Sequence, residues 1–136
     1  MTLQKAVHFT EYFRCYVVGQ QDVHIMSYDP KAPFHERYVK NPPAYPPALI
    51  ERVRRDALTL CQALGYDLNT VEFAVEDGVP YAIDFMNPAP DADPHSVGAE
   101  NFAWIVDTVA AFAVKKAQEP PTASAYRWSA MLEGRR

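Results

Sequence analysis

Two acids and one amide lie near each other in residues 70–87, TVEFAVEDGVPYAIDFMN. The acids are Glu72 and Asp84, and the amide is Asn87, which directly precedes Pro88. Mg²⁺ prefers hard oxygen ligands, takes one or two carboxylates, and leaves its other positions to water and substrate phosphates. If the fold brings these three side chains to one point, they can bind Mg²⁺ or Mn²⁺ beside a phosphate.

The register of the hairpin decides whether the two acids meet. Asp77-Gly78 marks the turn. A two-residue loop would place Asp84 on the apolar face of the hairpin, whereas a three-residue turn with left-handed Gly78 puts Glu72 and Asp84 together on the polar face. We therefore predict the three-residue turn. The apolar face would then consist of Val71, Phe73, Val75, Val79, Tyr81, Ile83 and Phe85.

Facing carboxylates need a counter-charge, because without one the pKa of one of them would rise. A divalent cation would supply it. Strict alternation aims Asn87 away from Asp84, but Pro88 ends the strand ladder and permits Asn87 to turn back. The same spacing also fits a solvated polar face, because exposed strand faces often carry acids. Both readings stay open on spacing alone.

Local patterns predict the elements that would hold these residues. Residues 7–19 and 23–28 are rich in β-branched and aromatic side chains and predict two strands of a hairpin. Six prolines in residues 29–47 predict a loop with extended pieces. Apolar side chains at steps of three and four predict a helix over 48–64, with Pro47 in its first turn and Gly65 as its cap.

A second helix is predicted over residues 99–117. The fold class is therefore α+β: an antiparallel or mixed sheet of four or more strands, with both helices packed on one apolar face. Cys15 and Cys61 fall in apolar patterns and predict two buried thiols. The expected core face of the second helix comprises Phe102, Ile105, Val106, Val109 and Ala113.

Composition excludes several classes of protein. A chain of 136 residues fits one domain, and its net charge of -4 offers no excess of positive charge for a nucleic-acid backbone. It contains no apolar run near the roughly 20 residues that cross a bilayer, and no secretion-type leader. We expect a cytoplasmic protein with neither nucleic acid nor a membrane as its partner. The four histidines lack the spacing of a zinc site.

Two segments resemble the ATP-grasp superfamily. The hairpin VEFAVEDGVPYAIDFMNPAPD, residues 71–91, is similar to the end of its nucleotide site, where an acid on one strand and an acid-x-x-Asn on the next hold Mg²⁺ between ATP phosphates. Glu72, Asp84 and Asn87 match those roles. Residues 13–19, FRCYVVG, resemble the strand after the adenine hinge, in which an Arg at the place of Arg14 often faces the phosphates. The resemblance covers roughly residues 7–117.

The resemblance implies an ATP-dependent ligase with ATP and Mg²⁺ or Mn²⁺ as cofactors. In such enzymes a small carboxylate substrate attacks the γ-phosphate, and an amine or another nucleophile displaces the resulting acylphosphate. Arg14, Glu72, Asp84 and Asn87 would contact the metal-bound nucleotide. Arg14 and Arg37 are the catalytic candidates, although Arg37 also fits a surface ion pair.

The sequence also departs from that family. ATP-grasp enzymes clamp ATP between two lobes, and the lobe before the hinge supplies lysines and a glycine-rich loop. This chain has five glycines, none clustered, and only residues 1–6 before the hinge. We expect residues 1–118 to be the C-terminal lobe, inactive alone because phosphoryl transfer needs charge neutralisation from several sides. Residues 119–136 would be a mobile or docking tail that uses Tyr126 and Trp128.

The expected partner is therefore the missing N-terminal lobe or a second copy of the chain. An alternative from another class is a non-catalytic binding, regulatory or dimerisation module that keeps the fold. Large exposed apolar patches would favour that alternative.

Overall fold

Four antiparallel strands form one sheet in the computed structural model, which describes Leu3 and residues 5–120. The predicted tail lies outside the described residues from position 121 onward. The strand order is β2-β1-β3-β4. The strands are β1 Glu11–Val18, β2 Asp22–Ser27, β3 Leu68–Glu76 and β4 Val79–Asn87. The helices are α1 Pro47–Leu64, α2 Pro94–Val97 and α3 Ala99–Gln118, with a short 3-10 helix at Phe34–Glu36.

The predicted α+β class and antiparallel sheet are confirmed, and the ends of α1 follow from its sequence. Pro47 occupies the first turn, where a missing N–H costs nothing. Gly65 ends the helix with a left-handed φ of 74°, and its N–H donates to the carbonyl oxygen of Cys61. Cys61 and Cys15 are both buried free thiols, as predicted.

The two long helices lie on opposite faces of the sheet, so the expectation of one shared face was wrong. Val53 of α1 packs against Cys15 and the other odd-numbered residues of β1. Ile105 of α3 packs in the cluster that contains Tyr12 and Tyr16, even-numbered residues of β1. Periodicity shows that a helix has an apolar face, but each face of an antiparallel strand is an equally good partner when both sides are apolar.

The core face predicted for α3 was only partly right. Ile105 is buried at 5% exposure, but Val106 is 45% exposed and Ala113 is also exposed. The outward side of α3 carries small and apolar residues at steps of three and four. They are Ala99, Ala103, Val106, Ala110, Ala113, Val114 and Ala117, all exposed.

The β3–β4 hairpin turns through two residues, not three as predicted. Glu76 pairs with Val79 across the turn, and Asp77 and Gly78 both have positive φ, as a type I′ turn requires. Phe73 therefore lies opposite Ala82. The predicted single apolar face was wrong as well, because Tyr81 pairs with Ala74, on the opposite face from Phe73. Tyr81 and Ile83 are 45% and 37% exposed.

A β-bulge nevertheless brings the two acids together. The register shifts between Phe73 and Glu72, so Glu72 pairs with Asp84 rather than with Ile83. One extra residue in a strand reverses the facing of every residue that follows it. The predicted shared face of Glu72 and Asp84 is thus correct, but a bulge produces it instead of the turn.

In the described part of the chain, none of the helices combines the length and the apolarity that crossing a membrane requires.

Candidate functional site

Arg14, Glu72 and Asp84 form one row across three neighbouring strands. Arg14 pairs with Glu72 in the β1–β3 ladder, and Glu72 pairs with Asp84 in the β3–β4 ladder. Adjacent strands lie about 4.8 Å apart, so the row brings a cation and two anions side by side on one face. That face is the one covered in part by α3, since Tyr16 on the same side of β1 packs in the α3 core.

Glu72 has two partners in this row. The Tyr12 hydroxyl donates a hydrogen bond of 2.6 Å to Glu72 Oε2, and Arg14 Nε lies 3.8 Å from Glu72 Oε1. Burial together with this hydrogen bond raises the pKa of Tyr12 far above its ordinary value. Arg14 therefore supplies the counter-charge that the sequence required, and Tyr12 remains a neutral donor.

Asn87 reaches the same face one pair further along the strands. It lies opposite Thr70, which in turn lies opposite Tyr16 of β1. A second register shift, between Thr70 and Glu72, compensates for the odd spacing between Asp84 and Asn87. The register thus places Asp84, Glu72 and Asn87 on a common face, whereas the sequence had left the direction of Asn87 open.

Arg14 is held among aromatic rings. Its guanidinium carbon lies 5.6 Å from the centre of the Tyr28 ring and 6.0 Å from that of Tyr38. Burial disfavours the charged form, but the nearby oxygens of Tyr38 and Glu72 outweigh it and raise the pKa of Arg14. Arg14 thus carries a permanent positive charge in a pocket with 8% exposure.

Arg37 approaches the cluster from the loop before α1. Its Nη1 lies 3.4 Å from the Tyr28 hydroxyl oxygen, and its Nε donates to the carbonyl oxygen of Ala32 over 3.2 Å. The acid next to it, Glu36, does not form the surface ion pair that the sequence allowed for Arg37, because its Oε1 lies 3.5 Å from His35 Nε2. The two candidate arginines are therefore linked through Tyr28.

Four buried side-chain atoms have no hydrogen-bond partner among the described residues. They are Arg14 Nε, Tyr38 Oη, Asp91 Oδ2 and Ser96 Oγ. Tyr38 interacts electrostatically with both Arg14 and Asp91, so these three residues form a polar cluster. Buried polar atoms in native proteins are nearly always satisfied by protein, water or a ligand. This cluster therefore offers donors and an acceptor to water or a small polar molecule.

An apolar groove of about 290 Å³ adjoins the row. Tyr12, Ala74 and Ile83 of the sheet line it, together with residues 5–7 and Phe9. It touches the row through Tyr12, whose hydroxyl donates to Glu72.

Comparisons with known proteins agree with this architecture. No family model and no curated protein matches the sequence. The structure is similar to D-alanine–D-alanine ligase from Bacillus anthracis complexed with ATP, with a TM-score of 0.61 and 20% identity over 82% of this chain and 39% of that chain. Another structure of D-alanine–D-alanine ligase from Bacillus anthracis matches with a TM-score of 0.59 and 22% identity, over 83% of this chain and 42% of that chain. D-alanine–D-alanine ligase is an ATP-grasp enzyme.

The chain has an ATP-grasp-like fold. At these identities the likeness establishes the fold alone. The chain spans about two fifths of the length of the ligases that it matches.

Glu72, Asp84 and Asn87 of this ATP-grasp-like fold form a donor set that fits a hard divalent cation such as Mg²⁺. Asp84 is exposed, and its carboxylate makes no ion pair or hydrogen bond with the described residues. Among those residues no three His, Cys, Asp or Glu side chains converge as a metal site. Two carboxylates and one amide suit an ion that keeps water and phosphate ligands, rather than an ion fully enclosed by protein.

Sequence reasoning missed the residues that support the candidate site of this ATP-grasp-like fold. Tyr12, Tyr28 and Tyr38 surround Arg14 and Glu72, and Asn69 braces β4. Tyrosine spacing gave no signal, because Tyr38 joins the others only through the isolated bridge between Tyr28 and Tyr38. Asn69 could have been noticed as a polar residue within an apolar strand.

Proposed function

We propose that this chain is the Mg-ATP-binding half of an ATP-dependent ligase that joins a carboxylate to an amine or similar nucleophile through an acylphosphate. The observation that carries the proposal is the row of Arg14, Glu72 and Asp84, with Asn87 on the same face of an ATP-grasp-like sheet. The matched ligase, whose crystal was complexed with ATP, supports the nucleotide assignment.

Each residue of the row then has one role. Glu72, Asp84 and Asn87 would hold Mg²⁺ or Mn²⁺. The chemistry that such an ion supplies is neutralisation and alignment of the phosphates. Arg14 would place its charge against the phosphate oxygens, and the groove beside Ala74 and Ile83 would receive the adenine ring.

The carboxylate substrate would bind beside Arg14, at the unpartnered polar cluster. Tyr38 Oη is buried without a partner among the described residues and can donate a hydrogen bond to a carboxylate. Arg37, linked to Arg14 through Tyr28, would add positive charge where the phosphoryl group moves. Charge stabilisation of this kind accounts for most of the catalysis of phosphoryl transfer.

The proposal includes a second lobe as partner. All of the candidate ligands lie on one sheet face, so this lobe can neutralise the triphosphate from one side only. Residues 1–118 would form the lobe, and residues 119–136 a tail outside it. We expect the chain alone to bind Mg-ATP weakly and to turn over no substrate, and a separately supplied N-terminal lobe or a second copy to complete the site.

Paramagnetic NMR with Mn²⁺ and ATP tests the proposal, because it detects weak binding and locates it. In the ¹⁵N-labelled chain we expect amide signals around residues 72, 84 and 87 to broaden first. Asp84→Asn should abolish the effect at the same concentrations. Asp107→Asn is the matched control, since it removes the same charge from an exposed position on α3 and should leave the broadening unchanged.

Broadening that is centred elsewhere, or that survives Asp84→Asn, would show that this face does not hold the metal.

The alternative, a dimerisation module, is favoured by the outward face of α3. Val106 and Val114 are 45% and 59% exposed on a helix whose outward alanines permit close approach of a second helix. Sedimentation velocity of the chain and of Val106→Asp distinguishes the two. A dimer that dissociates in Val106→Asp and shows no Mn²⁺ broadening would support the dimerisation module. A monomeric chain would contradict it.

A further inference from the structure

β4 contains one residue more than β3 between the two pairs that flank the site. Glu72 lies opposite Asp84 and Thr70 opposite Asn87, so β3 advances by two residues while β4 advances by three. Without the extra residue, alternation would turn Asn87 to the α1 face, because it lies three positions, an odd number, after Asp84. This bulge is what returns Asn87 to the face of Asp84.

The side chain of Asn69 bonds to the backbone on either side of the extra residue. Its Nδ2 donates to the carbonyl oxygen of Phe85 over 2.9 Å, and its Oδ1 accepts from the backbone N–H of Asn87 over 2.8 Å. Asn69 is 0% exposed, so water does not compete for these bonds. An amide is the one side chain of this size that presents a strong donor and a strong acceptor together without charge.

Asn69 itself is remote from the ligands. It pairs with Val17, whose side chain belongs to the α1 core, and its Nδ2 also lies 3.4 Å from Cys61 Sγ on α1. It therefore occupies the opposite face of the sheet from Glu72 and Arg14. Any effect of Asn69 on the metal must pass through the backbone of β4.

We infer that Asn69 is a positioning residue, which holds the bulge of β4 in the arrangement that turns the Asn87 amide toward Asp84. The inference rests on the proposed function, in which Asn87 is a ligand of the nucleotide-bound metal. Hydrogen-bonding partners of metal ligands commonly change metal affinity by roughly 10- to 100-fold when they are removed. Asn69 would act in the same way on a ligand's backbone.

The test measures the affinity of the full chain for Mn²⁺ with ATP, by paramagnetic broadening, in Asn69→Ala and Asn69→Asp. Asn69→Ala removes both bonds, and we expect affinity to fall roughly tenfold. Asn69→Asp keeps the size and the acceptor for Asn87 N–H but loses the amide donor, so a smaller loss is expected. The aspartate variant also keeps the test valid if the alanine variant fails to fold.

A double-mutant cycle separates positioning from plain stability. If Asn69 acts through Asn87, then Asn87→Ala and Asn69→Ala/Asn87→Ala should bind Mn²⁺ with ATP equally weakly. Cys61→Ala is the matched control, because it removes the third contact of Asn69 and leaves both bonds to β4. It should lower the Tm without changing the affinity.

Two negative results are distinguishable. If Asn87→Ala and Asp84→Asn weaken binding while both Asn69 variants leave it unchanged, the positioning role is refuted and the proposed function stands. If neither Asn87→Ala nor Asp84→Asn alters binding, the proposed function fails and takes the inference with it.

Discussion

Arg14 and Glu72 face each other in a region nearly closed to solvent, with 10% and 16% of their side chains exposed. Removing one member of such a pair leaves the other as an uncompensated charge, which is far more costly than losing a surface ion pair. The Tyr12 hydroxyl is the second stabilising group, since it donates to Glu72 Oε2 while Arg14 lies beside Oε1. Arg14 and Tyr12 together therefore stabilise the buried charge of Glu72.

Tyr12→Phe measures the contribution of that donor. Hydrogen bonds to charged groups contribute more than neutral ones, so we expect the free energy of unfolding to fall by about 2 kcal/mol. Tyr45→Phe is the matched control, because its hydroxyl shares a neutral 2.7 Å hydrogen bond with Ser27 Oγ. It should cost about 1 kcal/mol or less. Equal losses in urea denaturation would contradict the special role of Glu72.

The tyrosines also make stability depend on pH at the alkaline end. Burial raises the pKa of Tyr16 to about 12, whereas an unfolded tyrosine has a pKa of about 10. The unfolded chain thus loses its proton first, and the stability present below pH 10 is lost as the pH rises toward 12. Urea midpoints from pH 9 to 12 should fall, and Tyr16→Phe should flatten the fall. A pH-independent midpoint would be inconsistent with this burial.

At the scale of elements, sequence patterns located the helices and strands but did not orient them. The helix predicted over 48–64 is observed at Pro47–Leu64, and that over 99–117 at Ala99–Gln118. Proline, glycine and apolar spacing act locally, so local reasoning finds such boundaries. Which sheet face receives α3 depends on side chains far away in sequence, and no local pattern encodes it.

The hairpin shows the same limit more sharply. The shared face of Glu72 and Asp84 was predicted, yet the predicted three-residue turn was wrong. Two bulges in β4 set its facing: the first pairs Glu72 with Asp84, and the second, which is hydrogen-bonded to Asn69 from the opposite face, pairs Thr70 with Asn87. The fold class and the pairing of Glu72 with Asp84 were therefore predictable, whereas the bulges, the tyrosines and Asn69 depend on contacts between residues distant in sequence and were not. The roles of these residues as ligands stay a prediction.

The β1–β2 turn touches α3, and glycine is required for that contact. A Cβ on Gly19 would lie 2.7 Å from Cδ2 of Phe112, and its φ of +61° is left-handed. Gly19→Ala should thus combine backbone strain with overpacking and cost about 3 kcal/mol. Gly78→Ala, with φ +73° and nothing within 4 Å, should cost about 1 kcal/mol. Thermal or urea unfolding of both variants checks the difference, and equal losses would exclude the clash.

At the scale of the whole molecule, one sheet separates two cores. Val53 and Phe13 lie on the α1 side, and Ile105 and Tyr16 on the α3 side. Both cores include side chains of the central strand β1, so disrupting either core also removes contacts that hold β1 in the sheet. The described part of the chain should therefore unfold as one cooperative unit.

Cavity-forming variants on either side test this coupling. Val53→Ala should lower the free energy of unfolding by about 2 kcal/mol and Ile105→Ala by about 3 kcal/mol. In each variant, far-ultraviolet circular dichroism and tyrosine fluorescence should report the same midpoint. Separate midpoints would show that the two sides of the sheet unfold independently.

β4 is the outermost strand, and its outer edge pairs with no other strand among residues 5–120. Its side chains include exposed Tyr81, Ile83 and Met86. Such an edge accepts strands from neighbouring molecules, which makes it a starting point for aggregation. Asp84 and Asn87 lie on the same strand, so the metal and nucleotide proposed to bind them would stabilise the native fold and should slow aggregation during storage and concentration.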